Sequence, residues 1–155
     1  MFEVLMFLFE NYMDSNVSLG IDGEKVAFEL EQIGFNRYEI DRALDWLDGL
    51  GQIQAAVQSA PMITPLAIRH YSLEECEKLG IEGRGFLLYL EQIRILDPVS
   101  REIVIDRLMA LETREVDLGR VKWVVLMVLF SQPEKKAALM LMQEMVLAEA
   151  FTVLH

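Results

Sequence analysis

Cysteine and histidine are nearly absent from this 155-residue chain, which contains only Cys76, His70 and His155. A single cysteine excludes an internal disulfide and any multi-cysteine zinc or iron–sulfur site, and it is typical of a reducing compartment. Neither histidine has a cysteine, an aspartate or a second histidine at ligand spacing, so we expect no metal site. The carboxylates of Glu75 and Glu77 flank Cys76 and disfavour a thiolate there, which predicts a packing role for this side chain.

Phosphate-binding motifs are also missing, because the sequence contains neither G-x-G-x-x-G nor G-x-x-x-x-G-K-[ST]. The segment Gly83–Gly85 is either a plain turn between helices, which we favour, or an anion site at a helix N-terminus. Carboxylate pairs are numerous, but none has a plausible acid–base partner beside it. We therefore expect a protein that is not an enzyme and that binds no cofactor.

Long hydrophobic runs are absent as well. The longest uninterrupted run is Trp123–Phe130, whereas a membrane-spanning helix needs about 20 residues. The C-terminal stretch Ala137–Leu154 is long enough but contains Gln143, Glu144 and Glu149. The N-terminal stretch has neither a basic region nor a cleavage site for a signal peptide. We expect a soluble, cytoplasmic protein without a membrane partner.

Basic residues are scarce, since 14 Lys and Arg stand against 25 Asp and Glu, giving a net charge of −11. Residues 1–51 hold three of the basic and eleven of the acidic residues, so the acidity is concentrated in the first third. The hydrophobic fraction of 53% is too high for a disordered chain and predicts a sizeable core.

Helical patterns dominate the N-terminal part. Met1–Met13 is apolar on most of its circumference, which indicates a buried first helix. A second helix is predicted from its N-cap Asp22 to Gly34, and a third from its N-cap Asn36 to Gly49 and Gly51. The tight corner between the second and third helices is typical of a helix-turn-helix.

Two short strands, Gln52–Val57 and Ala67–Tyr71, are predicted around an uncharged loop that contains Pro61 and Pro65. Three helices followed by a two-stranded ribbon is the order of a winged helix. The remaining segments are helical, and their predicted starts are Ser72 with Glu75 as a capping box, Arg84, Asp97 with Pro98, Asp117 and Pro133. The expected fold is mainly α, with a winged-helix-like module over residues 1–71 (helix-turn-helix plus short β-ribbon). We expect this module to pack on a C-terminal helical bundle over 72–155 and to share one core with it.

The last helix is apolar over an arc of about 200°, whereas a surface helix needs only about 100°. Met140, Leu147 and Phe151 form a second apolar patch outside the main arc. This helix is either buried on several sides within the bundle or covered partly by another chain. Trp46 lies at the margin of the apolar stripe of the third helix, and it is either buried under the first helix or a partly exposed aromatic anchor.

Basic side chains recur about once per two turns through the central helices, at Arg84, Arg94, Arg101, Arg107, Arg114, Arg120 and Lys122. They form either solvated faces paired with neighbouring carboxylates or a basic surface for an acidic partner or nucleic acid. The third helix, which a helix-turn-helix would offer to DNA, has Arg37 and Arg42 among its outward positions but four acidic residues beside them. Its net charge of −2 opposes binding to a phosphate backbone.

Nearly the whole chain resembles the Smg family of proteobacterial proteins. The matching stretches are MFEVLMFLFENYM, LEQIGFNRYEIDRALDWLDGL, IRHYSLEECEKLGIEGRGFLLYLEQIRIL, REIVIDRLMALE and VDLGRVKWVVLMVLF, with a short tail that ends in Leu154–His155. The resemblance implies a cytoplasmic bacterial protein of unknown biochemical activity and supplies no catalytic residues. Inside it, IRHYSLEECEKLG is similar to the wing-to-helix junction of MerR-type regulators, although the long coiled coil of those proteins is missing.

Two functional hypotheses follow. The first is a non-enzymatic interaction or regulatory protein that binds another protein, or a second copy of itself, through helical surfaces. The alternative is a nucleic-acid-associated regulator that uses a winged-helix scaffold and the basic central helices.

Overall fold

The computed structural model describes residues 1–12, 22–59 and 69–153. Every regular element within these ranges is a helix, and the α-helices are α1 Phe2–Tyr12, α2 Gly23–Ile33, α3 Arg37–Ser59, α4 Leu73–Gln92, α5 Pro98–Met109, α6 Leu118–Phe130 and α7 Lys136–Val153. A short 3₁₀ turn, Pro133–Lys135, precedes α7. The chain divides into two compact units: unit 1 comprises Met1–Ser59 with Ala110–Glu112, and unit 2 comprises Ala60–Met109 with Thr113–His155.

The predicted β-ribbon is wrong, and with it the winged-helix architecture. The first predicted strand, Gln52–Val57, is the continuation of α3, which runs unbroken to Ser59. The second falls partly on residues 67–68, outside the described residues, and its remainder, 69–71, forms no strand. Gly49 and Gly51 do not end α3, because neither adopts the positive φ that ends a helix at glycine. The expectation of a mainly α protein is confirmed.

The core of unit 1 is built where α1 and α2 pack against α3. Helix α1 buries Val4, Leu5 and Leu8, and α2 buries Val26, Ala27 and Leu30; they meet Ile40, Ala43, Trp46 and Leu50 of α3. At the end of this core, the rings of Phe7 and Phe35 meet edge to face with their centroids 5.5 Å apart. This arrangement buries the apolar stripes that the sequence pattern predicts for the three helices.

The corner between α2 and α3 is a complete Schellman motif. Gly34 has φ 114°, its N–H donates to the Glu31 carbonyl at 3.1 Å, and the Phe35 N–H donates to the Leu30 carbonyl at 3.1 Å. Glycine suits this left-handed position because it has no Cβ. The predicted end of the second helix is therefore confirmed.

Helix α6 lies at the centre of unit 2, where it packs against α4, α5 and α7. Its side chains are buried from Val124 to Leu129 without interruption, as expected for a helix that is apolar around its whole circumference. The predicted N-caps of unit 2 are present: Asp117 accepts a hydrogen bond from the Arg120 N–H, and Ser72 and Glu75 form the capping box of α4.

Helix α4 is kinked at Gly80, which has φ 66° and ψ 177°. The sequence predicts two separate helices here, with the second beginning at Arg84; in the structure the second segment begins directly after Gly80. The end of α4 repeats the Schellman pattern, since the Arg94 N–H donates to the Glu91 carbonyl and the Ile95 N–H to the Leu90 carbonyl. In this second motif, however, the left-handed position with φ 63° holds Arg94.

Candidate functional site

The outer surface of α7 carries three large apolar side chains, with the exposed Glu144 between them. Met140, Leu141 and Leu147 are 63%, 51% and 58% exposed, and we call this surface the α7 face. The opposite side of the helix is anchored in unit 2, where Met142 is fully buried. At 100° per residue the three exposed side chains fall within an arc of about 120°. Helix α7 therefore has an apolar side toward its own core and a solvent side on which three apolar side chains surround one carboxylate.

The local sequence explains why α7 begins where it does. Lys135, in the 3₁₀ turn before α7, pairs with the carboxylate of Asp97, the residue before α5. Burial works against ionisation of Asp97, but the hydrogen bonds from Lys135 and Ser100 hold the pKa of its carboxyl below the ordinary value. From Lys136 onward, Ala, Leu, Met, Gln and Glu dominate, and these are strong helix formers.

The structure places the predicted interface residues in different settings. Met140 and Leu147 both lie on the α7 face and are not buried within the chain. The side chain of Phe151 lies outside the described residues. Trp46 is only 3% exposed and belongs to the core of unit 1, so in this structure it offers no aromatic surface to a partner.

The predicted basic residues do not form one set of free cations. Arg101 is buried and pairs with Glu91 at 2.8 Å and with Glu102 at 3.1 Å. Arg107 pairs with Asp106 at 2.6 Å. Two of the seven are thus engaged by neighbouring carboxylates, as the solvated-face interpretation expects.

Three others are half-buried. The Arg84 guanidinium donates to the Gly80 carbonyl at 3.0 Å, and the Lys122 ammonium lies 5.6 Å from the centre of the Phe86 ring. Arg120 is half-buried in the first turn of α6. Arg94 and Arg114 are the exposed members of the set.

An ion cluster around Arg69 is the most connected polar site in the described part of unit 2. Both terminal guanidinium nitrogens of Arg69 donate to the carboxylate of Glu75, at 2.7 and 2.9 Å, and its Nε donates to Glu102 at 2.6 Å. The guanidinium carbon also lies 4.7 Å from the centre of the Tyr71 ring. Glu102 also pairs with Arg101, so Arg101 belongs to the same cluster.

The electrostatics of this cluster indicate a structural role. The hydrogen bond with Glu75 raises the pKa of Arg69 and lowers the pKa of the Glu75 carboxyl. Burial raises the pKa of the Tyr71 phenol. All of these shifts hold the groups in the protonation states that they already have at neutral pH, so the cluster has no group poised to transfer a proton.

Sequence reasoning missed the Arg69 cluster. Arg69 lies six residues before Glu75 and 33 before Glu102, and neither separation corresponds to a helical or strand repeat. The only local signal is the Ser72–Glu75 capping box, since its glutamate is the residue that Arg69 holds.

No metal-binding cluster is found among the described residues. They contain no group of three or more His, Cys, Asp and Glu side chains placed to hold a metal ion. His70 is exposed, and the Cys76 sulfur lies 4.0 Å from the Tyr71 carbonyl oxygen. A depression of about 430 Å³ is lined by Glu74, Glu77, Lys78, Met109, Arg114 and Glu115. The Lys78 ammonium is already engaged there by the Met109 carbonyl at 2.7 Å.

Within the described ranges, none of the helices is both long and apolar enough to cross a membrane. The described part of the chain thus defines an all-helical protein of two units with an exposed apolar helix face.

Comparison with known proteins identifies its family. A family model described as "Protein of unknown function (DUF494)" matches residues 1–155. The chain is 46% identical over 153 residues to the "Protein Smg homolog" of Nitrosococcus oceani, which covers 99% of this chain and 96% of that protein. It is also 46% identical over 148 residues to "Protein Smg" of Yersinia pestis and of Yersinia pseudotuberculosis, with 94% of each chain covered. The chain belongs to the DUF494 family of Smg proteins, and the resemblance drawn from the sequence is confirmed. No solved structure matches it.

Proposed function

We propose that this protein is a non-enzymatic, cytoplasmic interaction protein that binds a helix of another protein on the α7 face. The observation that carries the proposal is the exposure of Met140, Leu141 and Leu147 on a helix whose other side is buried. Water-exposed apolar area is unfavourable by roughly 25 cal/mol per Å², and contiguous apolar patches on a surface commonly mark binding sites.

The chemistry of the α7 face suits a helical partner. Ala137 and Ala148 are exposed beside the three large side chains, so large and small side chains alternate along this surface. This pattern accepts an amphipathic helix with anchors at helical spacing. Methionine adds an adaptable contact, because its unbranched side chain fits partners of different shape.

A paired variant tests this proposal. We expect Met140→Lys combined with Leu147→Glu to fold normally, because both side chains are more than half exposed, and to lose its protein partner. Leu73→Lys is the matched control, since Leu73 is 76% exposed on another helix of the same unit. Tagged wild type, pair and control are compared by affinity capture from the native cytoplasm and by circular dichroism. A partner retained by the folded pair would contradict the proposal.

The alternative function in nucleic-acid binding has less support. Arg37 pairs with Glu31 at 2.9 Å and with Asp41 at 3.0 Å, and Arg42 pairs with Glu112. Both arginines of the predicted recognition surface of α3 are therefore neutralised within unit 1. Binding to DNA or RNA is measured at low salt, where phosphate contacts are strongest. Affinity that falls steeply with rising salt would favour this alternative.

A further inference from the structure

Two aromatic side chains of unit 1 are left in solvent, and neither the sequence analysis nor the proposed function uses them. Phe28 of α2 is 62% exposed, and Tyr38 of α3 is 63% exposed. At 100° per residue, Phe28 shares an arc of about 60° with two exposed carboxylates of α2, Glu24 and Glu31. Tyr38 shares an arc of about 60° with two exposed carboxylates of α3, Asp41 and Asp45.

Arg37 joins these two groups into one surface. Its Nη1 donates to the Glu31 carboxylate at 2.9 Å, and its Nε donates to the Asp41 carboxylate at 3.0 Å. We call the continuous surface the α2–α3 face, and its members are Glu24, Phe28, Glu31, Tyr38, Asp41 and Asp45. Lys25 is also exposed, but helical spacing puts it on the other side of Phe28 from Glu31 and so away from α3.

The charge of the α2–α3 face selects the class of its occupant. Four carboxylates stand against Arg37, and Glu24 and Asp45 form neither an ion pair nor a side-chain hydrogen bond within the described part of the chain. Unit 1 contains 3 Lys and Arg and 12 Asp and Glu, a net charge of −9. Nucleic acid, an anionic membrane and a second copy of this acidic chain are all repelled. Charge complementarity therefore requires a cationic partner.

The acidic residues of α3 do not serve the stability of the helix. Asp45 follows Asp41 by four residues and precedes Asp48 by three, and like charges at these spacings repel each other. Aspartate is also a weak helix former, and Asp45 and Asp48 lie beyond the first turn, where the helix dipole would favour a carboxylate. Their role is accordingly a contact outside unit 1.

The combination of rings and carboxylates indicates which cation binds. Unit 2 holds Arg69 in this way, because its guanidinium carbon lies 4.7 Å from the centre of the Tyr71 ring while its nitrogens donate to Glu75. Phe28 and Tyr38 have carboxylates beside them, but within the described residues no cation lies over either ring. A planar guanidinium can stack on a ring and bind a carboxylate with two N–H groups, whereas an ammonium is a compact point charge.

We propose that the α2–α3 face binds an arginine-rich segment of another protein. Guanidinium groups of that segment stack on Phe28 and Tyr38 and pair with the carboxylates beside them. The α7 face belongs to unit 2 and is proposed to take apolar anchors, so each of the two proposals can fail without the other.

Variants of the two rings test the stacking. Fluorescently labelled oligoarginine and oligolysine of equal length are titrated with the full chain at low salt, and binding is followed by anisotropy. We expect wild type to bind oligoarginine on the order of tenfold more tightly. Phe28→Leu combined with Tyr38→Leu keeps the charge and should abolish this preference. Phe28→Tyr combined with Tyr38→Phe keeps both rings and is the matched control, which should retain it.

Both positions are more than half exposed, so we expect the ring variants to fold, and circular dichroism checks this. A wild-type chain that binds neither peptide, or both equally, would overturn the proposal. A preference for oligoarginine that survives in the folded leucine pair would also overturn it.

Charge variants locate the contact. Glu24→Gln combined with Asp45→Asn removes two carboxylates of the α2–α3 face and should raise the Kd for oligoarginine on the order of tenfold. Glu82→Gln combined with Glu134→Gln removes the same charge from exposed positions of unit 2 and should change the Kd by less than about twofold. Equal losses in the two variants would show general attraction to an acidic protein and would refute the assigned face.

The leucine pair also separates other occupants of the face. If wild type sediments as a dimer that the pair dissociates, the face binds a second copy of this chain. If wild type binds a DNA or RNA oligonucleotide that the pair no longer binds, the face takes nucleic acid. Either result would contradict the proposal.

Discussion

The replacement Arg94→Gly tests whether the second Schellman motif stores backbone strain. The two motifs share their hydrogen-bond pattern, but the left-handed residue is Gly34 in unit 1 and Arg94 in unit 2. The left-handed conformation costs a residue with a Cβ about 1–2 kcal/mol. Glycine loses roughly 0.5–1 kcal/mol more conformational entropy on folding. The difference predicts that Arg94→Gly raises the free energy of unfolding of unit 2 by about 0.5–1 kcal/mol.

The reverse change is expected in unit 1. Gly34→Ala should lower the free energy of unfolding of that unit by about 1 kcal/mol. A Cβ at Gly34 would meet no atom within 4 Å, so this loss comes from the backbone conformation and not from a clash. Arg94→Lys keeps both the Cβ and the charge, and it should leave stability unchanged.

The two tryptophans allow each unit to be followed separately. Trp46 lies in unit 1 and Trp123 in unit 2, so a Trp46→Phe background reports on unit 2 and a Trp123→Phe background on unit 1. Urea unfolding monitored by tryptophan fluorescence gives the stability of the unit that keeps its tryptophan. If Arg94→Gly leaves unit 2 equally stable or less stable while Gly34→Ala destabilises unit 1, the strain at Arg94 is not real.

Three further predictions concern the core and the polar contacts. The hydrogen bond with Arg69 lowers the pKa of Glu75, so this hydrogen bond stabilises the fold above the ordinary pKa of 4.5 and loses its effect on acidification. The unfolding midpoint of Glu75→Gln should therefore depend less on pH below 4.5 than the midpoint of wild type. Trp46→Ala should lower the stability of unit 1 by ~3–5 kcal/mol in urea unfolding, because the side chain is buried; a loss below ~1 kcal/mol would contradict this. Asp117→Ala removes the acceptor for the Arg120 N–H and should cost about 1 kcal/mol by thermal unfolding, whereas Asp117→Asn should restore most of it.

The boundaries of several helices could be predicted from the sequence because local chemistry sets them. Gly34 ends α2, the Ser72–Glu75 box begins α4, and Asp117 begins α6, each through hydrogen bonds within a few residues of chain. Such signals can be read without knowing what packs on the helix. Helical spacing also places Met140 and Leu147 outside the main apolar arc of the last helix, but it leaves open whether they are buried or exposed.

The sequence predictions fail mainly where contacts between distant parts of the chain determine the structure. Gly49 and Gly51 suggested an end to α3, but glycine only weakens a helix, and the anchoring of Leu50 in the core holds this one together. The segment Gln52–Ser59 was assigned to a strand and loop, although glutamine and alanine favour a helix once the preceding turn is formed. The Arg69 cluster was missed because Glu102 is brought to it only by the fold.

Residues 110–112 belong to unit 1, and this affects when unit 1 can finish folding while the chain is being synthesised. Leu111 is 4% exposed, and Glu112 pairs with Arg42 of α3, so unit 1 receives part of its core and one of its ion pairs from a segment about 50 residues beyond α3. A nascent chain that has reached Ser59 therefore lacks a side chain that its core requires. We expect α1 to α3 to become fully protected only after α5 has left the ribosome, and a fragment that ends at Ser59 to be less stable than the same helices in the full chain.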